Sequence, residues 1–137
     1  MEVSIQNIVQ LSDFKALIDS GVAIIVDFYA TWCGPCRLLA PRLETLANEH
    51  KNITFVKVDV DQGPEISEEY QVSAMPTVMG FYASKRVEVI VGFNNTKITE
   101  LVQKLSGKNH FFILGQNLKV FYYEIFFYDY SALFIFI

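Results

Sequence analysis

Eight consecutive residues, Val22 to Tyr29 (VAIIVDFY), form a nearly unbroken run of β-branched and aromatic side chains. A strand with one wet face would alternate apolar and polar residues, so this run predicts a strand covered on both faces. Such a strand needs helices on either side, and the flanking sequence supplies them. Ser12 is a candidate N-cap for a helix through Ile18, with Phe14, Leu17 and Ile18 on one stripe and Gly21 just past the end. Pro35 suits a first helical turn, and Leu39, Leu43, Leu46 and Ala47 recur at helical spacing up to about His50. Pro41 lies inside that helix and predicts a kink.

The same reading continues along the chain. Val3 to Ile5 suits a short edge strand, Ile53 to Val58 a further strand, and Pro64 to Tyr70 a short helix. Thr77 to Tyr82 with Val87 to Val91 reads as a hairpin, and a last helix from about Thr96 to Leu105 carries Ile98, Leu101, Val102 and Leu105 on one face. The order β-α-β-α-β-α-β-β-α predicts a central mixed sheet, parallel through its crossover helices and antiparallel at the hairpin. At 137 residues the chain is long enough for one domain with its own core. Its net charge of -4, with lysines and arginines scattered singly, argues against a nucleic-acid partner.

Both cysteines of the chain, Cys33 and Cys36, fall in ATWCGPCRLLAP at the strand-to-helix junction. That position puts Cys33 at a helix N-terminus, where unpaired N–H groups and the helix dipole stabilise a thiolate. Cys33 is therefore the expected nucleophile. Cys36, one turn further in, is close enough to form a disulfide and to resolve a mixed one. Two other readings stand beside this one. A zinc half-site shares the C-x-x-C spacing but lacks further ligands, since the chain has no other Cys and only His50 and His110. Two inert buried thiols would not call for Trp32, Gly34 and Pro35 around them.

WCGPC resembles the active site of the thioredoxin family, and the resemblance covers about residues 3 to 106. It includes VDFYATWCGPCR, FVKVDVD, the Met75–Pro76–Thr77 triplet and Val91–Gly92–Phe93. PRLE at Pro41 to Glu44 and YQVSAMPTV at Tyr70 to Val78 are most similar to mitochondrial-type members, although ATWCGPCR is also common in cytosolic ones. The resemblance implies a three-layer α/β/α sandwich and a protein-disulfide reductase. A Pro between the cysteines is similar to reducing members, whereas oxidising and isomerising relatives carry a His there.

Asp27 interrupts the apolar strand, and a buried carboxylate costs several kcal/mol unless protonated or paired. A strand-end or capping aspartate is the plainer alternative. The resemblance implies that Asp27 helps take the proton of Cys36 and that Lys57 pairs with Asp27; read alone, Lys57 is equally a snorkelling surface lysine. It also implies a cis Pro76, with Met75 offering its backbone to an extended substrate segment. Trp32, Gly34, Pro35, Ala74, Met75, Pro76 and Gly92 are the expected substrate-binding residues. Two departures from the family pattern concern stability: Gly80 inside a strand, expected to mark a bulge or small cavity, and Ala83-Ser84-Lys85-Arg86, a hairpin without glycine.

The ligand count argues against a metal, and the resemblance implies no bound cofactor, with electrons drawn from NADPH through a thioredoxin reductase. Expected partners are that reductase and disulfide-containing clients, peroxiredoxin-like proteins among them. A redox-dependent module that clamps partners through the Trp32–Met75 groove without turnover is the alternative from the binding class. MEVSIQNIVQLSDF lacks the features of a secretory signal and is neither Arg-rich nor acid-free. Together with the close cysteine pair this points to a reducing compartment, the cytoplasm first, or the mitochondrial matrix if a presequence is missing.

From Gly107 the composition shifts: 11 of the 20 aromatic residues fall in the last 31. The expected division is a thioredoxin domain at 1–106 and an aromatic-rich extension at 107–137 that is not an independent domain. Val120 to Ile137 is only 18 residues long and holds Glu124 and Asp129 near its middle, which disfavours a membrane anchor. A partner-binding or self-associating strand is a second reading. Phe, Tyr, Ile, Asn and Lys belong to AT-rich codons, and the composition best fits translated intron or read-through.

Overall fold

The computed structural model describes residues 4–113, and over them the order of elements follows the predicted β-α-β-α-β-α-β-β-α. They are β1 (Gln6–Asn7), α1 (Leu11–Asp19), β2 (Ile24–Tyr29), α2 (Gly34–Glu49), β3 (Thr54–Asp59), α3 (Pro64–Glu69), β4 (Thr77–Tyr82), β5 (Lys85–Val91) and α4 (Asn95–Ile113). The five strands form one sheet in the order β1-β3-β2-β4-β5. β1, β3 and β2 are parallel, joined by the crossover helices α1 and α2, whereas β4 and β5 run antiparallel to their neighbours.

β2 lies in the middle, and alternation sends its side chains to two separate cores. Ile24, Val26 and Phe28 meet Phe14 and Ile18 of α1 and Ile66 of α3. Phe14 is the hub there, with Phe28 and Phe81 ring centroids at 6.1 and 6.2 Å and Tyr70 at 4.8 Å. On the other face Ile25, Phe55 and Val78 meet Leu39, Leu43 and Leu46 of α2 and Ile98, Leu101 and Leu105 of α4. Each such fully buried side chain contributes about 1.5–3 kcal/mol. By the same alternation Asp27 and Tyr29 stand on the α2/α4 face.

Element ends differ from the sequence reading in instructive ways. β1 is Gln6–Asn7, paired with Val56 and Lys57 of β3; of the strand expected at Val3 to Ile5, Val3 lies outside the described residues and Ser4 and Ile5 are not in a strand. α1 starts at Leu11 on an N-cap, Gln10, whose side chain makes no capping bond. Ser12 is thus drawn into the first turn, because half-buried Leu11 packs on the α1/α3 core. α2 runs from Gly34 to Glu49 with Pro41 inside it.

The hairpin closes in two residues, Ala83 and Ser84, with φ of 52° and 62°, after a register shift between Gly80 and Phe81. The shift leaves Val87 of β5 unpaired, so the extra residue lies opposite Gly80–Phe81 and not in the strand of Gly80, where the bulge was expected. α4 does not stop at Leu105 but continues through Gly107 to Ile113, so the division expected at 106 falls within a helix. Ser106 is tied in place: Asn52 Nδ2 donates to its carbonyl at 3.0 Å, and its hydroxyl lies 3.3 Å from His50 Nδ1. The expectations for 114–137, an anchor or an associating strand, lie outside the described residues. Among the described residues no helix is long and apolar enough to cross a membrane.

Candidate active site

β2 ends at Tyr29, and the chain turns through Ala30, Thr31 and Trp32 into α2. Cys33 is the N-cap of that helix, with extended backbone (φ -85°, ψ 114°). Its Sγ accepts the Cys36 N–H at 3.2 Å, a sulfur in the place where a Ser or Asp oxygen would cap the helix. Pro35 occupies the first turn, where its missing N–H costs no helical bond. Gly34 has open space where a Cβ would stand.

Cys33 and Cys36 are joined as a disulfide, with Cα atoms 5.3 Å apart. Both are buried and cluster with Ala30, against which Tyr29, Val60 and Met75 pack. The Met75–Pro76 peptide is cis, and Thr77 Oγ1 donates to the Ala74 carbonyl at 2.7 Å, closing the turn before β4. The Pro76 carbonyl accepts the Gly92 N–H at 2.8 Å, tying the turn to the end of β5. Gly92 has a φ of 82°, which suits glycine, and nothing stands within 4 Å of its Cβ position. Of the expected groove residues, Met75 is thus in contact with the disulfide cluster, and Gly92 is bound to the same turn.

Trp32 is 63% exposed beside the buried disulfide. Its indole N–H donates to Asp61 Oδ2 at 2.9 Å, and the Asp61 N–H donates to Asp59 Oδ1 at 3.0 Å. Both aspartates belong to the FVKVDVD motif, but neither was among the expected site residues. Leu38, Val91 and Phe93 add exposed apolar surface, at 65%, 64% and 43%.

Asp27 is only 5% exposed, and its Oδ1 has no hydrogen-bond partner. Burial pushes its pKa up from 3.8 to about 7, opposed by the positive charge of Lys57. Lys57 stands opposite Asp27 in the β2–β3 register but forms no ion pair with it. Its ammonium lies instead over the Tyr29 ring, 5.7 Å from the centroid. The implied pairing is therefore a charge–charge influence across the strands rather than a bond. Among the described residues no group of three or more His, Cys, Asp or Glu is placed to hold a metal ion.

The Thioredoxin family model matches residues 6–105. Thioredoxin of Coprinus comatus is 44% identical over 102 residues, which cover 73% of this chain and 96% of that protein. Thioredoxin-2 of Pyricularia oryzae is 41% identical over 101 residues, 74% of this chain but 59% of that protein's length. The crystal structure of mitochondrial thioredoxin 3 from Saccharomyces cerevisiae, in its oxidised form, matches with a TM-score of 0.71 at 37% identity, covering 74% of this chain and 95% of that one. A disulfide capping a helix beneath an exposed Trp, with these matches over the whole sheet, leaves one assignment: the chain belongs to the thioredoxin family of protein-disulfide reductases.

Proposed function

We propose that Cys33 is the attacking thiol and Cys36 the resolving thiol of a two-electron shuttle that reduces client disulfides. The observation that carries this is the Cys36 N–H aimed at Cys33 Sγ from the first turn of α2. In the reduced protein that amide and the helix dipole favour a thiolate at Cys33. The Cys33 thiolate attacks one sulfur of the client; the client S–S bond breaks and the other client sulfur leaves as a thiol after taking a proton. Cys36 then loses its proton, attacks Cys33 Sγ and expels the second client thiol. The client gains two electrons, and this chain ends in the disulfide form.

Asp27 is the proposed acceptor of the Cys36 proton: it is buried, its Oδ1 is unpartnered, and burial raises its pKa to about 7. Trp32, Gly34, Pro35, Ala74, Met75, Pro76 and Gly92 are the proposed groove, in which a client segment lies extended against the Met75 backbone. NADPH, through a thioredoxin reductase, would return the electrons, and the proposed compartment is the cytoplasm, with the mitochondrial matrix as the alternative. Insulin reduction with NADPH and that reductase tests the assignment. Wild type should turn over and Cys33→Ser should not; retained turnover in Cys33→Ser would overturn it.

A further inference from the structure

Three side chains, Asp27, Tyr29 and Lys57, share the α2/α4 face of the sheet on neighbouring strands. Asp27 and Lys57 are register partners in parallel strands, and Tyr29 follows Asp27 by two residues, so all three project from the same face. On this face the Lys57 ammonium is offered the Asp27 carboxyl opposite it, the Asp59 carboxyl two residues along its own strand, and the Tyr29 ring. It sits over the ring, at 5.7 Å, and leaves the Asp27 Oδ1 without a partner. Tyr29 itself packs against the cluster formed by Ala30, Cys33 and Cys36.

We propose that Tyr29 is a positioning residue for the exchange reaction, its ring holding the Lys57 ammonium beside the Asp27 carboxyl without bonding it. The proposal rests on the reading of Asp27 as proton acceptor. An ion pair would engage the carboxylate oxygen that must take a proton, whereas an ammonium released to water would leave Asp27 buried with no compensating charge. The ring fixes the distance between these extremes, because a cation over an aromatic face keeps part of its stabilisation when it is partly desolvated.

The other groups on this face do not replace that charge. β4 places Val78 opposite Asp27, and α2 and α4 contribute Leu39, Leu43 and Ile98 to the layer. Lys57 is the charge that bears on Asp27, while Asp59 and Asp27 bear on Tyr29. Cys33 and Cys36 are joined as a disulfide and titrate only when reduced.

The test is a carbon-13 carboxyl NMR titration of Asp27 in the full-length oxidised protein. Tyr29→Leu should let the ammonium swing to water and raise the Asp27 midpoint by about half a pH unit. Tyr29→Phe, which keeps the ring, should leave the midpoint in place. Lys57→Met should raise it at least as far as Tyr29→Leu, and adding Tyr29→Leu to Lys57→Met should move it no further. Tyr29→Met carries the same expectation as Tyr29→Leu and serves if the latter does not fold. An unchanged or lowered midpoint in the ring-deleted protein, or additive shifts in the double variant, would overturn the proposal. An Asp27→Asn protein whose pH–rate profile for insulin reduction matches wild type would instead overturn the reading of Asp27 beneath it.

Discussion

Leu101 of α4 stands where a side chain on Gly80 of β4 would be: a Cβ built there would lie 2.7 Å from Leu101 Cδ1. The glycine is therefore filled from the opposite element, and no cavity results. Gly80→Val should overpack this layer and cost about 1–3 kcal/mol, while Leu101→Ala alone should cost about 2–5 kcal/mol. Combining them should recover part of the loss, because the added methyls occupy vacated volume. Chemical denaturation of the two single variants and the double variant measures this coupling; strictly additive losses would show that the two sites do not share the space.

The turn of the hairpin is the second place where the chain departs from the family pattern. Ala83 and Ser84 both hold positive φ, 52° and 62°, as a two-residue primed turn requires. Non-glycine residues pay roughly 1–2 kcal/mol for that conformation, and Asn and Gly carry less of the cost. Ser84→Gly also gives up an exposed hydrogen bond to the Asp19 carbonyl, 3.3 Å long. The pair Ala83→Asn and Ser84→Gly should still gain about 1 kcal/mol and raise Tm by about 4–8 °C. A lower Tm would mean that the Ser84 contact outweighs the backbone term.

These two sites mark the limit of what the sequence discloses. Strands and helices were legible because burial imposes a period of two or 3.6 on VAIIVDFY and on the Leu39–Leu43–Leu46 stripe. Cys33, Cys36 and Asp27 were legible because their chemistry is out of place in an apolar strand and helix start. An irregularity near Gly80 could be anticipated, but not that its extra residue would be Val87 of β5 or that Leu101 would fill the glycine's space, since both depend on how β5 and α4 meet β4. Trp32 meets Asp61, and Lys57 meets the Tyr29 ring, across separations of 29 and 28 residues that only the β2–β3 register brings together. The end of α4 was not legible because the apolar stripe that marks the helix stops at Leu105, whereas the next turn is held by the bond from Asn52 to the Ser106 carbonyl.

Asp27 should make stability depend on pH with a definite sign. Its folded pKa is raised from 3.8 to about 7, so between those values the folded state holds a proton that the unfolded state has released. Stability from this group is fully present below the lower value, falls as pH rises through the window, and is lost above the upper one. Asp27→Asn stays neutral throughout. In the oxidised protein its advantage over wild type should grow from near zero at about pH 4 to a ceiling of about 4 kcal/mol above neutrality. Denaturation curves across that range decide the matter: a gain of the same size at every pH would remove the carboxyl's ionisation as its cause. The same variant should resolve mixed disulfides more slowly near neutral pH.

The order of attack has its own test. Cys36→Ser keeps the helix-capping sulfur of Cys33 and the amide that it accepts, so attack on a client remains possible while resolution does not. Incubated with oxidised client proteins, it should accumulate covalent complexes through Cys33 that reducing agent releases. Cys33→Ser should accumulate few or none. If Cys33→Ser formed the complexes and Cys36→Ser did not, the two roles would be exchanged.

Where the domain can be cut follows from what α4 holds. Its core residues Ile98, Leu101, Val102 and Leu105 are essentially inaccessible, and the layer they close is complete at Leu105. Beyond it the helix adds the Ser106 bonds to Asn52 and a contact of the Lys108 ammonium over the Tyr82 ring, 5.2 Å from its centroid. A chain ending at Ser106 keeps the core but loses the Lys108 contact and the helical turn that supports Ser106. It should fold and retain insulin reduction, with stability lowered by about 1 kcal/mol. A chain ending at Ile113 keeps those contacts and should match the full-length protein in both stability and turnover. If the Ile113 chain is markedly less stable or less active than the full chain, residues 114–137 contribute to the folded domain and the expected division near 106 is wrong.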